Sequence, residues 1–378
     1  MAPMKPSSDR RTEPCFPSGL TNGTRDNPKD IYRPAIAIGV VGGAVFVAAA
    51  LVAGGQPYAT DSMQTGPRGT GMSVPEFKVD LARPDPYIEE FLASTSAPVV
   101  PQGGEETAGD ARENVPPGLE DLTVENYDRL LAAMREWTGI PDLFDDLDSY
   151  QTSVGYLMIG MTQNINEEWA GHVNANKEVG VTCATCHRGQ PVPENIWFKI
   201  SPVNENVEGW SANQNRVTMQ SQYTSLPSDA LEKYLLDGET IAVHDLESRV
   251  AGVPGEDGYP GIQQAERTYS LMNYVSNSLG VNCLFCHNSR AFYSASGQIT
   301  PQWATATLGI QMVLELNNTY LAPLDGILPE HRLGPVYADA PKAACATCHK
   351  GYQQPLQGTN VIGDWPELAS TAEPDYGN

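Results

Sequence analysis

Basic side chains are scarce in this 378-residue chain: 23 Lys and Arg stand against 46 Asp and Glu, a formal charge of -23. The deficit argues against nucleic acid or an anionic membrane surface as partner and suits a basic protein drawn in by the field. Apolar residues are also few, 40% of the total, beside 30 prolines and 35 glycines. That composition cannot sustain a large aliphatic core and forces extensive irregular loops between the helices. Long apolar runs are absent but for one, AIAIGVVGGAVFVAAALVA at Ala35–Ala53, which spans about 28 Å as a helix, close to a bilayer core. No cysteine follows it closely, so a lipid anchor at its end is excluded; Cys15 lies on its other side and reads as an inert thiol in a flexible tail.

The run predicts one N-terminal transmembrane helix over 35–54. Ahead of it Lys5, Arg10, Arg11, Arg25, Lys29 and Arg33 outnumber the acidic groups. They should hold residues 1–34 in the cytoplasm as a tail and place the acidic remainder in the periplasm. Gly54, Gly55 and Ala59 are small, which leaves cleavage of the segment open. Residues 55–118, with Pro84, Pro86, Pro98, Pro101, Pro116 and Pro117, read as an extended periplasmic segment with little regular structure, suited to lie on partner subunits. Residues 119–378 form the remaining periplasmic domain.

What cysteine there is falls into a pattern. Six of the seven build CATCH at Cys183–His187, CLFCH at Cys283–His287 and CATCH at Cys345–His349. In C-x-x-C-H the two thiols add to haem vinyl groups as thioethers and the His becomes the proximal iron ligand. Three copies leave little room for a dithiol redox pair or half a zinc site. The signature predicts three covalently bound haems c, held by Cys183, Cys186, Cys283, Cys286, Cys345 and Cys348, with His187, His287 and His349 on the irons. The porphyrins would supply much of the missing apolar surface.

The fold is expected to be mainly α, with a helix, turn and haem motif as its recurring unit. One helix starts at Thr123, an N-cap, with Val124, Tyr127, Leu131 and Met134 on one stripe. A second carries Val154, Met158, Met161, Ile165, Trp169 and His172; a third carries Tyr269, Met272, Val275 and Leu279 and stops at Gly280; a fourth runs from about Trp303 to Tyr320. An iron that only carries electrons needs a sixth ligand, and Met and His are the candidates. Met272, on the helix before Cys283, is assigned to the second site. Met158 and His172 are about 21 Å apart on an unbroken helix and cannot share one iron. Met158 therefore serves the first site and His172 another, the third being the recipient. Aligning Met161 with Met312 puts Gly309 where Met158 stands, so the third site has no equivalent ligand of its own. Met161 and Met312 read as core, and His244 and His331 as surface residues.

Longer segments carry a resemblance. MIGMTQNINEEWAGHV followed by GVTCATCHRGQPVP, together with RGTGM at Arg68–Met72, LMNYVSNSLGVNCLFCHNSRAF, LNNTYLAPL and DAPKAACATCHKG, resembles the cytochrome subunit of purple-bacterial photosynthetic reaction centres. The likeness covers most of the chain from about residue 65 to 370. It implies an electron carrier without substrate chemistry, on the inner photosynthetic membrane. Such a subunit takes electrons from a soluble periplasmic donor, a basic c-type cytochrome or another small redox protein, and re-reduces the bacteriochlorophyll special pair. Its partners would be the L, M and H subunits, with a light-harvesting complex nearby. The resemblance assigns Met158 to the haem at Cys183, Met272 to that at Cys283 and His172 to that at Cys345. It implies two His/Met haems of higher potential and one bis-His haem of lower potential, with the haem at Cys283 nearest the special pair, that at Cys345 in the middle and that at Cys183 distal. The family usually carries a fourth, first haem; here its place reads TGIPDLFDDLDSYQTS, without cysteine, although Met134 persists at the axial position. A membrane-anchored multihaem cytochrome of an anaerobic respiratory or quinol-oxidising chain is the alternative, and it would need an open haem or a quinol site.

Overall fold

The computed structural model describes residues 32–54, 60–64, 73–77, 85–174, 179–201, 213–214, 218–221, 225–241, 262–288 and 300–377, with backbone alone at 32–35, 53–54, 60–64, 73–77 and 262–263. The expectations placed on the N-terminal tail, Cys15, Arg68–Met72 and His244 lie outside the described residues. Helix α1 (Tyr32–Gly54) covers the apolar run. Its described side chains, residues 36–52, are all exposed. Among the described residues no helix is long and apolar enough to cross a membrane.

Strands β1 (Thr60–Gln64) and β2 (Ser73–Phe77) pair with each other. Two short helices follow, α2 (Tyr87–Ser94) and α3 (Ala108–Ala111). The stretch 55–118 thus holds more regular structure than its prolines suggest. Pro86 precedes α2, where a fixed φ costs nothing, and Thr107 caps α3 by accepting from the Asp110 N–H. Tyr87, Phe91 and Ala108 from this stretch are buried in the first core.

The rest is built twice. One half contains α4 (Val124–Thr138), α5 (Tyr150–Glu168), α6 (Ala170–Val173) and α7 (Cys183–His187). The other, after α8 (Ala230–Leu235), contains α9 (Ile262–Leu279), α10 (Pro301–Leu316) and α11 (Cys345–His349). The caps explain the boundaries: Thr123, Ser149 and Thr300 each accept a backbone N–H of the first turn. The second helix, expected at least to Trp169, ends there and its stripe resumes in α6 with His172, and the helix expected to reach Tyr320 loosens into a π-helical turn at Asn317–Leu321.

Equivalent contacts recur in both halves. Gly139 ends α4 and Gly280 follows α9, each with positive φ, 64° and 65°. A Cβ on Gly139 would run into the Gly189 carbonyl, and one on Gly280 into the Gly351 carbonyl. The Gly189 N–H donates to Trp137 O at 2.7 Å and the Gly351 N–H to Ser278 O at 2.8 Å. Asn166 on α5 accepts from the Val181 N–H at 2.8 Å and donates to its carbonyl at 2.9 Å. Asn317 does the same to Ala343, at 2.9 and 3.0 Å. Each helix pair is thereby clamped to the CATCH helix of its own half.

Two hydrophobic clusters back these contacts. The first joins Leu130, Met134, Trp137, Phe144, Ile159 and Trp365; the second joins Trp197, Leu231, Leu235, Leu271, Tyr274 and Val313. The C-terminal segment closes the first. Trp365 meets Trp137 edge-on at 4.8 Å, and Arg129 lies over Trp365 while pairing with the buried Glu367 at 2.7 Å.

Candidate functional site

Each CATCH helix is set by the same local device. In the first, the Thr182 N–H donates to Thr185 Oγ1 at 3.0 Å; in the other, the Ala344 N–H donates to Thr347 Oγ1 at 3.0 Å. Arg188 and Lys350, next after the His, take left-handed φ of 50° and 51°, which turns the chain back. The turn delivers a carbonyl to each imidazole: His187 Nδ1 lies 2.8 Å from Gln190 O and His349 Nδ1 lies 3.0 Å from Tyr352 O. A carbonyl can only accept, so Nδ1 carries the proton and Nε2 keeps its lone pair for a metal. His172 follows the same rule with Thr305 O on α10 at 2.9 Å. Burial depresses the basicity of all three rings, that of His349 to about 4.

Both CATCH helices open on one cavity of about 580 Å³, a size suited to a bulky organic ligand. Its wall holds Cys183, Cys186, His187 and Met158 of the first expected site and Cys345, Cys348, His349 and His172 of the third. The His172 and His349 ring centroids are 6.3 Å apart with an interplanar angle of 64°. Two imidazoles on opposite sides of one metal, each with a bond of about 2.0 Å and about 1.2 Å from nitrogen to ring centre, would stand about 6.4 Å apart. The observed separation is close to that value. Gly309 leaves room for the pair: a Cβ there would come within 2.5 Å of His172 Cε1. Met161 and Met312, expected as core, also line the cavity.

Burial pushes the thiols of Cys183 and Cys345 up to about 11, so they remain protonated. Cys186 and Cys348 are bonded to each other with Cα atoms 4.5 Å apart. A thioether on either sulfur excludes that bond, so the two cysteines can be joined only where haem is not attached to them.

The second expected site is built from α9 and the 3-10 turn Cys283–Phe285. The Asn282 side chain caps that turn by accepting from the Leu284 N–H at 2.9 Å. Met272 packs against the second core, and burial lowers the basicity of His287 and raises the Cys286 thiol to about 11. Met272, Cys283, Cys286 and His287 are not part of the cavity wall, whereas Val275, Leu279 and Phe285 are.

The loop between α4 and α5 stands at the corresponding place of the other half. Counting from Gly139 and Gly280, the run Asp142, Leu143, Phe144, Asp145, Asp146 falls on Cys283, Leu284, Phe285, Cys286, His287. Leu-Phe is retained; both thiols and the imidazole are replaced by carboxylates. Leu143 and Phe144 are buried, and Phe144 stacks on Tyr156 at 5.4 Å. Arg135 holds the loop through Leu143 O at 2.8 Å and Asp145 at 2.5 Å.

Several positioning groups have no side-chain signature. The carbonyls of Gln190, Tyr352 and Thr305 act through the backbone, which residue identity does not reveal. The Arg188–Asp85 ion pair, 2.6 Å and buried, ties the residue after His187 to the segment before α2. His331 lies outside this arrangement, on an exposed turn.

Comparison with known proteins gives a consistent outcome. Residues 55–369 match the family described as "Photosynthetic reaction centre cytochrome C subunit". A protein of Roseobacter denitrificans named photosynthetic reaction center cytochrome c subunit is 59% identical over 373 residues, covering 96% of this chain and 100% of that protein. Proteins of the same name from Rubrivivax gelatinosus and Thermochromatium tepidum are 38% and 33% identical, covering 85% and 87% of this chain and 87% and 80% of theirs.

Proposed function

The chain belongs to the family of photosynthetic reaction centre cytochrome c subunits, and on that footing we propose that it passes electrons from a soluble periplasmic donor to the photo-oxidised special pair through three covalently attached haems c. When bound, haem supplies a one-electron ferric/ferrous couple. The protein's own part is to ligate, orient and exclude water. Cys183 and Cys186, Cys283 and Cys286, and Cys345 and Cys348 would hold the porphyrins. His187 with Met158, His287 with Met272, and His349 with His172 would fill the axial positions and keep substrates off the irons. A thioether favours the ferrous state over imidazole, so His172 makes the haem at Cys345 the one of lower potential. The observation that carries this ligand set is the 6.3 Å separation of the His172 and His349 rings.

The number three rests on the loop at 142–146. Carboxylates in place of both thiols and of the imidazole can neither form thioethers nor supply the proximal ligand. Asp142, Asp145, Asp146 and Asp148 are exposed there and face the approach of a basic donor to the haem at Cys183. Helix α1 is proposed as a single-pass anchor in the photosynthetic membrane, on the uncharged run Ala35–Ala53 that it covers. Residues 55–118 are proposed as the segment that lies on partner subunits, the L, M and H chains, with a light-harvesting complex nearby.

Intact mass spectrometry combined with an optical redox titration tests the proposal. Three haem additions are expected, with two components at higher potential and one at lower. Four additions, or three components of equal ligation, would overturn it.

A further inference from the structure

We infer that Gly309 is the positioning residue that admits His172 to the haem at Cys345 and so decides its bis-His ligation; the inference rests on the ligand set proposed above. Gly309 sits in the middle of α10, where glycine is less stable than alanine and calls for a reason. Its backbone is not in the left-handed region, so conformation is not the reason. Space is. A Cβ built at Gly309 would come to 2.5, 3.0 and 3.1 Å from His172 Cε1, Nε2 and Nδ1, which is closer than any real Cβ stands to a ring. The ring cannot yield by sliding along the helix, because its Nδ1–H is tied to Thr305 O, one turn earlier, at 2.9 Å.

The duplicated architecture shows what the glycine replaces. Asn166 and Asn317 make the same pair of hydrogen bonds to Val181 and Ala343, which fixes the register of α5 against α10. Eight residues before Asn166 stands Met158; eight before Asn317 stands Gly309. In one half the helix offers a thioether to its own motif. In the other the same place is vacated, and the imidazole comes across from α6 of the first half instead. A side chain at 309 and His172 on the iron are therefore alternatives, and the chemistry of the middle haem is chosen by the smaller residue.

The test uses the full chain in assembled reaction centres, with Gly309→Ala, His172→Ala and Gly160→Ala compared. Gly160 lies on α5 with nothing within 4 Å of a built Cβ, so it controls for a glycine change in a helix. Low-temperature electron paramagnetic resonance of the ferric haems, an optical redox titration and intact mass are read for each. Gly309→Ala and His172→Ala should both abolish the same low-spin bis-His signal and raise the midpoint of that haem, with three haems retained; added imidazole should restore the signal in His172→Ala, where the space is free, and not in Gly309→Ala, where the methyl group fills it. Gly160→Ala should match the parent. If Gly309→Ala keeps the signal and midpoint while His172→Ala loses them, the positioning role is wrong and the ligand set stands. If Gly309→Ala loses a haem rather than a ligand, the role is likewise wrong. If His172→Ala changes nothing, the ligand set itself falls, and this inference with it.

Discussion

His172 owes its place to a backbone carbonyl and to an absent side chain, while Met158 needs only its own helix. Replacing His172 by Ala should therefore change the spectrum of one haem and leave the two His/Met haems intact; loss of a His/Met signal would reassign it. A different residue holds the scaffold. Arg129 donates to Asp364 O, Ser96 O and Glu367, and the Glu367 side chain is fully buried. Arg129→Ala strands that carboxylate and should cost about 3–5 kcal/mol, read as a lowered denaturation midpoint. The companion change of both Arg129 and Glu367 to apolar residues should recover most of the loss. These pairings were not legible in the sequence, because Arg129 and Glu367 lie far apart along the chain and neither stands in a motif. The turns that gather Cys183, Cys186, His187 and Cys345, Cys348, His349 on one cavity wall were legible as motifs, since the spacing of C-x-x-C-H is local whatever the fold.

The helices were legible to the extent that their caps and stripes speak. Thr123 and Gly139 bound α4 where a capping side chain and a left-handed glycine should put the ends. The second helix is expected at least to Trp169, and its apolar stripe continues through Trp169 to His172. The structure breaks it at Trp169, and the break lets α6 pack against α10 and turn His172 to Thr305 O. Stripe periodicity cannot report such a break, which tertiary packing imposes. The C-terminal segment was not foreseen as an element of the core. Trp365 is fully buried there between Trp137 and Arg129. Trp365→Ala should cost about 3–5 kcal/mol, and limited proteolysis should then cut the C-terminal segment first; unchanged resistance would contradict its role as a clasp.

Taken together, two clamped halves face each other across a shared cavity, with their equivalent cysteines Cys186 and Cys348 4.5 Å apart at the Cα atoms. One half carries Asp142, Asp145 and Asp146 where the other has Cys283, Cys286 and His287, and these carboxylates form an exposed rim. Changing Asp142, Asp145, Asp146 and Asp148 to Asn should slow reduction by a basic donor at low salt and flatten the salt dependence of that rate. An unchanged rate and salt slope would move the docking site elsewhere. The spectroscopic measurement that bears most directly on the whole assignment is flash-induced absorbance change in isolated photosynthetic membranes, followed in the haem α band. A saturating flash should oxidise haem of this chain within microseconds to milliseconds, in step with re-reduction of the special pair. A special pair that recovers with no haem oxidation in that window would contradict it.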